Sequence, residues 1–177
     1  MKRRITIILM LFAMSVAAFA TPVGQQEKRS KSEAFILELA QKELPQTTYS
    51  YFSFKMLGQI FKPFFDHVGK FSEISSNIKN IRNIETTGTE GYITMKKELS
   101  LFMQEQEEVM GLKVISYSRS DSLVSVIYGN DKNILVINDE VESSGEKKIS
   151  LVFINGLSSM NFNILLEEGF DFNFKIE

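Results

Sequence analysis

The residue types that most often carry catalysis are scarce in this chain. His67 is the only histidine and it follows Asp66, so every Ser-His relay or paired-histidine metal site would depend on this one side chain. A neighbouring carboxylate does shift the pKa of an imidazole, which makes the pair a conceivable base. Its place near the end of an amphipathic stretch favours instead a solvated or capping histidine, and we expect no catalytic role for it.

Serine chemistry is indicated by one short pattern only. Ser76 and Lys79 have the Ser-x-x-Lys spacing in which a lysine one helical turn away activates a serine. The companion Ser-Asp-Asn and Lys-Thr-Gly motifs are missing, as are the glycine motifs that bind phosphates or dinucleotides. The chain has no cysteine, which removes disulfides, thiolate metal sites and thiol nucleophiles together. We therefore predict no catalytic residue and no cofactor.

Carboxylates are the remaining source of chemistry. Asp66, Asp121 and Asp131 would suit acid-base hydrolysis of a sugar if the fold brought two of them together, but they fall in separate turns, where aspartate is a common turn former. Four further acidic residues lie close together in the segment 139–146, and hard cations such as calcium bind where several oxygen ligands lie within reach. Their spacing does not fit the calcium-loop pattern, and a solvated hairpin tip is favoured over a cation site. We predict no metal site.

The charge of the chain argues against a nucleic-acid partner. The full sequence has 20 Lys+Arg and 22 Asp+Glu, and loss of residues 1–20 would remove three cations and no acid. The remaining 17 cations and 22 acids give a net charge of −5. Phosphate backbones are bound by clustered cations, and the only cluster after residue 20 lies at 28–31, in a polar leader.

The amino terminus is typical of an export signal. Lys2, Arg3 and Arg4 precede an apolar run from residue 5 to 14, and Ala18 and Ala20 supply the small residues that a signal peptidase reads. The run is shorter than the roughly 20 residues of a membrane-spanning helix, so cleavage is favoured over a retained anchor. We predict a signal peptide at 1–20, a flexible leader at 21–31 and a single domain at 32–177.

Hydrophobic spacing changes near Gly111. Before it, apolar residues recur at three-four spacing and predict helices, with strands at 47–54 and 83–87 between them. The predicted helices begin near Ser32, Met56, Ser72 and Thr89, and they extend to Pro45, Phe71, Ile81 and Gly111, respectively. After Gly111, strands are predicted at 112–118, 123–128, 133–139 and 148–154, then a helix capped by Ser158 or Ser159 and a strand at 170–176.

These elements predict the fold class. Short turns rich in Gly, Asn, Asp and Ser separate the later strands, and short connections make antiparallel pairing the natural outcome. Helices and strands in the first half followed by strands in the second indicate an α+β fold. We expect helices packed on one face of a mostly antiparallel sheet that includes a C-terminal strand meander.

Aromatic content is the one unusual feature of the composition. The chain has 15 Phe and 5 Tyr but no Trp. Tyr49 and Tyr51 alternate along a predicted strand and would present a contact surface if exposed, although core packing is the commoner use. Phe170, Phe172 and Phe174 alternate near the carboxyl end, where an aromatic strand either pairs with a partner chain or completes the sheet of its own chain.

Three stretches carry a resemblance to a known family. Residues 49–57 (YSYFSFKML), 78–84 (IKNIRNI) and 150–156 (SLVFING) occur in this order. Together they resemble domain of unknown function 4252, a family of small exported proteins of Bacteroidota, over roughly residues 32–166. The resemblance implies a periplasmic or cell-surface location in a Gram-negative cell. Many of these relatives look like lipoproteins, whereas this chain lacks the cysteine that would be acylated, so we expect no lipid anchor.

These observations favour a non-enzymatic module of the cell envelope that binds another protein or a peptide. The expected contacts are a sheet edge or an aromatic surface formed by Tyr49, Tyr51, Phe170, Phe172 and Phe174. Two alternatives remain open at this stage. One is an envelope hydrolase that uses a pair of carboxylates, and the other is a carrier that holds a small apolar ligand between sheet and helices.

Overall fold

The computed structural model describes residues 29–54, 74, 76–102, 104 and 106–167. Within this part of the chain, three helices and seven strands form. The helices are α1 (Lys31–Gln41), α2 (Thr89–Glu98) and α3 (Ser159–Glu167). The strands are β1 (Thr47–Ser53), β2 (Asn80–Thr86), β3 (Glu108–Val109), β4 (Leu112–Arg119), β5 (Leu123–Gly129), β6 (Asn133–Val141) and β7 (Lys147–Asn155).

All seven strands belong to one sheet of order β1-β2-β7-β6-β5-β4-β3, and every neighbouring pair is antiparallel. The last five strands form an uninterrupted meander, because their connections are short turns. The second strand, β2, adds to the meander beside β7, and β1 pairs with β2. The sheet therefore has two edges of different origin, β1 from the first part of the chain and β3 with β4 from the second.

Both faces of the sheet bury apolar side chains. Successive residues of a strand point to opposite faces, and in β6 Leu135 and Ile137 join one core while Ile134 and Val136 join the other. We call the side of Leu135 the first face, which α1 and α2 cover, and the side of Ile134 the second face. The helix residues packed on the first face are Ile36, Leu39, Tyr92 and Met95, and Leu99, directly after α2, joins them. Those of α3 on the second face are Phe162 and Leu165.

The predicted α+β class, the antiparallel sheet and the C-terminal meander are confirmed. The strands predicted after Gly111 match β4 to β7 within two residues at each end. One detail of the layering differs, because α3 packs on the second face while α1 and α2 share the first. Central strands such as β6 are apolar at consecutive positions, so both of their sides must be covered.

Three local boundaries differ from the sequence prediction. Helix α1, predicted to begin near Ser32, begins at Lys31 and is capped by Ser30, whose hydroxyl accepts a hydrogen bond from the Glu33 amide, while Ser32 is fully buried. The helix α2 ends at Glu98 rather than at Gly111, and Gly111 instead turns β3 into β4 together with Met110. Both residues have positive φ, 53° at Met110 and 78° at Gly111, as a two-residue type I′ hairpin turn requires.

Strand β2 is longer than predicted. It begins at Asn80 and contains Ile81, which the helical spacing assigned to a preceding helix. The residue joins the core of the second face as a strand residue. The predicted helix at 56–71, the signal peptide, most of the leader and the terminal strand at 170–176 lie outside the described residues.

Candidate functional site

Strand β1 lies at an edge of the sheet and pairs with β2 in unbroken register from Thr47 opposite Thr86 to Ser53 opposite Asn80. Its sequence, TTYSYFS, combines β-branched and aromatic residues and carries no charge. Among the described residues, no strand pairs with its outer side. In the described part of the chain, the outer side of β1 therefore carries backbone N–H and C=O groups that no strand pairs with.

The residues of β1 whose backbone faces outward follow from the hydrogen bonds at its two ends. The Thr87 amide donates to the Gln46 carbonyl at 2.7 Å, and the Phe54 amide donates to the Lys79 carbonyl at 3.1 Å. In an antiparallel pair, hydrogen-bonded positions alternate with positions that point away. Even-numbered residues of β1 thus bond to β2. The odd-numbered residues, Thr47, Tyr49, Tyr51 and Ser53, direct their N–H and C=O groups outward.

The same alternation places both tyrosines on the first face. Tyr49 and Tyr51 lie opposite Ile84 and Arg82, and they are 42% and 50% exposed. The Arg82 guanidinium lies 4.7 Å from the centroid of the Tyr51 ring, a cation–π contact, and one of its terminal nitrogens donates to the Tyr49 hydroxyl. The edge therefore carries an ordered Tyr-Arg-Tyr cluster, the residues Tyr49, Arg82 and Tyr51.

The start of β1 is held by α2. Gln46 has a φ of 45°, and its side-chain Oε1 accepts a hydrogen bond from the Glu90 amide at 3.0 Å. It thereby caps a helix whose own N-cap residue, Gly88, has no side chain to do so. Gly91 of α2 lies against the same chain, since a Cβ built there would be 2.4 Å from the Gln46 carbonyl oxygen. Helix and edge strand are in this way fixed to each other.

A row of polar residues crosses the first face beside the cluster. Asn133 donates to the Ser30 hydroxyl at 3.2 Å and Asn155 donates to a Glu33 carboxylate oxygen at 2.9 Å, which fixes the first turn of α1 on the sheet. Asn80, opposite Asn155 and next to the edge, is only 9% exposed. Two buried atoms there have no hydrogen-bond partner among the described residues, the Oδ1 of Asn80 and the Nε of Arg82. Such atoms are costly unless a ligand, water or another chain pairs with them.

The opposite edge is built differently. Strand β3 covers only the first two residues of β4, through Glu108 opposite Lys113 and Val109 opposite Leu112. The register of β4 on β5 shifts between Val114 and Ser116, which is a bulge. Lys113 and Arg119 are both exposed on this strand. Bulges, short covering strands and charged residues are the usual means by which edges are kept from pairing with other chains.

The carboxylates that the sequence offered for acid-base work are not brought together. Asp121 lies in the turn between β4 and β5, and Asp131 lies in the turn between β5 and β6. The length of β5 separates them by about 20 Å or more at 3.4 Å per residue, beyond the roughly 5 to 9.5 Å that paired glycosidase carboxylates require. Asp66 lies outside the described residues.

The acidic segment 139–146 divides between the two faces of the sheet. Asp139 points to the first face, where the Lys96 ammonium binds it at 3.0 Å. Its neighbour Glu140 lies opposite Lys148, which forms an ion pair with Glu85. No group of three or more metal-ligating side chains occurs in the described part of the chain.

The remaining predicted residues divide into two sets. The segment from Ser76 to Lys79 is a turn followed by irregular backbone that enters β2, so these two side chains do not have the helical spacing that the serine mechanism requires. His67, Phe170, Phe172 and Phe174 lie outside the described residues. Of the predicted contact residues, Tyr49 and Tyr51 are thus the two that the structure describes, and both are exposed on the β1 edge.

Arg82 is the residue of this site that sequence reasoning missed. The predicted strand began at Asn83, so Arg82 was assigned to no element. The available signal was the alternation of Asn80, Arg82, Ile84 and Thr86, which extends the strand by three residues and places the arginine on the same side as the buried Ile84. An arginine on the core-facing side of a strand requires a specific partner, which is a reason to examine it.

The fold and site define the chain as a small α+β protein with one antiparallel sheet and an uncharged, aromatic edge strand. Comparisons with family models, with curated proteins and with solved structures gave no match. None of the helices in the described ranges has the length and apolar character needed to cross a membrane.

Proposed function

We propose that this chain is a non-enzymatic module of the cell envelope that binds another protein or a peptide by accepting an additional strand on β1. The observation that carries the proposal is the outward backbone of Tyr49 and Tyr51 on an edge without charge or bulge. Strand addition obtains affinity from main-chain hydrogen bonds and specificity from alternate side chains. The edge supplies both, because its unpaired residues also carry the two exposed tyrosines.

The tyrosines contribute more than exposed area. Their rings are stiff, with few rotatable bonds, and Arg82 already holds both in place through the ring contact and the hydroxyl hydrogen bond. Little side-chain entropy is then lost when a partner packs against them. A strand laid beside β1 places every second side chain on the first face, next to Tyr49 and Tyr51.

The location rests on the sequence. The basic and apolar segment at 1–20 supports export, and the resemblance to small exported proteins supports the periplasm or cell surface as the destination. The negative charge that remains after loss of this segment disfavours nucleic acid as the partner. A second protein or peptide of the same compartment fits both properties.

The experiment is a selection from a displayed library of random nonapeptides against the purified protein. Selected peptides are expected to show a period of two in residue preference, and to lose affinity by about ten-fold or more for the Tyr51→Lys variant, because a lysine on an edge strand opposes pairing. The matched control is Tyr117→Lys on β4, also an exposed edge tyrosine at 46%. Affinity for this variant should stay within about two-fold, since distant sites act independently.

A scan of the tightest selected peptide with single N-methyl groups then tests the binding mode. Methylation at alternate residues removes the amides that donate to β1 and abolishes binding, whereas methylation at the residues between them leaves it largely intact. Failure to select any peptide would overturn the proposal. So would selected peptides whose affinity responds to Tyr117→Lys and not to Tyr51→Lys.

A further inference from the structure

Arg82 differs from three lysines of the described residues in the partner that its charge contacts. Lys42, Lys96 and Lys148 each form an ion pair with a carboxylate of their own chain. The Arg82 guanidinium instead contacts the Tyr51 ring and the Tyr49 hydroxyl, and no carboxylate among the described residues lies within ion-pair distance of it. Its Nε is buried without a hydrogen-bond partner. The half-buried guanidinium therefore lacks an anionic partner among the described residues, and burying a charge is costly unless an anion compensates it.

We propose that Arg82 selects the partner strand by binding an aspartate or glutamate of that strand. This acidic side chain would lie on the side of the partner strand that faces Tyr49 and Tyr51. The inference rests on strand addition at β1. The occupant of the edge is then an extended peptide segment with an acidic residue at a fixed position, between neighbours that pack against Tyr49 and Tyr51. Arg82 acts here as a specificity-determining residue and contributes nothing to the main-chain pairing itself.

The geometry supports the reach of this side chain. Arg82 stands on β2, one strand in from the edge, and its guanidinium lies over the Tyr51 ring, above β1. A strand added to β1 would lie about 4.8 Å further out, within reach of an acidic side chain directed back over the tyrosines. Guanidinium groups bind carboxylates through two parallel hydrogen bonds, and only one terminal nitrogen is used by the Tyr49 hydroxyl.

A second buried atom without a hydrogen-bond partner among the described residues lies beside Arg82. Asn80 lies two residues from Arg82 on the same face, and its Oδ1 is a buried acceptor without a donor among the described residues. An apolar side chain placed here would leave the Nε donor without a partner, whereas the Oδ1 acceptor requires a donor such as a hydroxyl or an amide N–H. The edge therefore discriminates against purely apolar strands, although its tyrosines favour aromatic and aliphatic neighbours.

The test uses the tightest peptide from the nonapeptide selection. Aspartate or glutamate should be enriched at one position of the selected set, and replacement of that residue by its amide should weaken binding about ten-fold, as expected for a hydrogen bond to a charged group. The affinity of the acidic peptide should fall as salt rises, and that of the amide peptide should not.

A cycle with Arg82→Gln locates the effect. The variant should bind the acidic and amide peptides within about two-fold of each other, and both affinities should fall because Arg82 no longer holds Tyr49 and Tyr51 in place. Arg82→Lys keeps the charge without the two-pronged geometry and should discriminate less than the wild type and more than Arg82→Gln. Equal binding of both peptides by the wild-type protein, or selected peptides without an enriched acid, would overturn the inference and leave strand addition standing.

Discussion

The two edges of the sheet differ in the features that keep an edge strand from pairing with another chain. Strand β4 ends the meander with a bulge, with a two-residue covering strand and with exposed cations at Lys113 and Arg119. Strand β1 runs in flat register for seven residues without a charge. Unprotected edges invite pairing with other chains, and proteins usually prevent it. The proposal that a partner binds at β1 rests on this contrast, because only the β4 edge carries these protective features among the described residues.

The edges also differ in what fixes their first residues. Strand β1 starts next to Gln46, which caps α2 and whose backbone packs directly against Gly91 of that helix. Contact with α2 therefore determines the position of the start of β1. Strand β4 starts at the Met110-Gly111 turn, and a Cβ at Gly111 would meet nothing within 4 Å. The first edge depends on tertiary contact and the second on local backbone conformation.

The largest expected loss of stability comes from a substitution at the contact between α2 and the start of β1. In Gly91→Ala, the new methyl would lie 2.4 and 2.7 Å from the carbonyl oxygens of Gln46 and Pro45, atoms of the backbone that cannot turn away. We expect a loss of about 2–3 kcal/mol in the free energy of unfolding, because overpacking outweighs the gain in helix propensity of roughly 1 kcal/mol. Urea unfolding measures it, and peptide affinity should fall with it because the start of β1 moves.

The matched substitution is Gly111→Ala on the other edge. Its φ of 78° is unfavourable for alanine, so a cost of about 1 kcal/mol is expected from the backbone alone. Peptide affinity should stay unchanged. If Gly91→Ala were as stable as the wild type, α2 would not hold the start of β1 in the way described.

A second variant removes a buried hydrogen bond from the core beneath strand β5, next to β4. The Tyr128 hydroxyl on β5 donates to the Phe102 carbonyl at 2.6 Å, and both residues are buried. Tyr128→Phe keeps the edge-to-face ring contact with Phe102 but leaves this carbonyl unpaired, at a cost of about 1–2 kcal/mol. Peptide binding at β1 should not change, because the two sites share no residue. Loss of peptide affinity in this variant would contradict the independence of the edges.

The same tyrosine gives a pH dependence of known sign. Burial raises the pKa of Tyr128 above its ordinary value of 10.0, so the folded state keeps the proton that the unfolded state loses. Its contribution is complete below pH 10 and decreases as the pH rises further. The wild type should therefore lose more stability than Tyr128→Phe between pH 9 and 11 in parallel urea titrations. Identical slopes for the two proteins would show that Tyr128 titrates as it does in water.

The smallest expected change in stability comes from removing the charges of the protected edge. The double variant Lys113→Thr and Arg119→Thr alters exposed side chains only, so the free energy of unfolding should stay within about 0.5 kcal/mol. Its tendency to self-associate should increase in sedimentation experiments at high protein concentration, because threonine favours strand pairing. A variant that stays as monodisperse as the wild type would show that the bulge and β3 suffice without the charges.

How far the sequence predicts this molecule depends on the range of the interactions involved. The meander was predictable because period-two spacing and short turns such as 120–122 are local signals, and β4 to β7 were located within two residues. Exposure of Tyr49 and Tyr51 is one of two arrangements that the sequence allows, because a period of two gives the face of the strand but not what covers that face. Arg82 was not predictable as a site residue, since its role arises from register with a strand thirty residues earlier.

The placement of caps and turns shows the same limit. Gly111 was expected to end a helix, but Met110 and Gly111 together form the hairpin turn that the pairing of β3 with β4 requires. A glycine is compatible with both uses, and only the partner strand decides between them. Likewise Gln46 caps a helix that begins more than forty residues later, which no local capping pattern reveals.

The central claim is tested most directly by residue-resolved amide hydrogen exchange of β1, measured with and without the selected peptide. The outward amides of Tyr49, Tyr51 and Ser53 should exchange fast in the free protein and become protected on binding, while those of Ser50 and Phe52, already bonded to β2, should change little. Protection that appears on β4 near Tyr117, with Tyr49 and Tyr51 unchanged, would contradict the account.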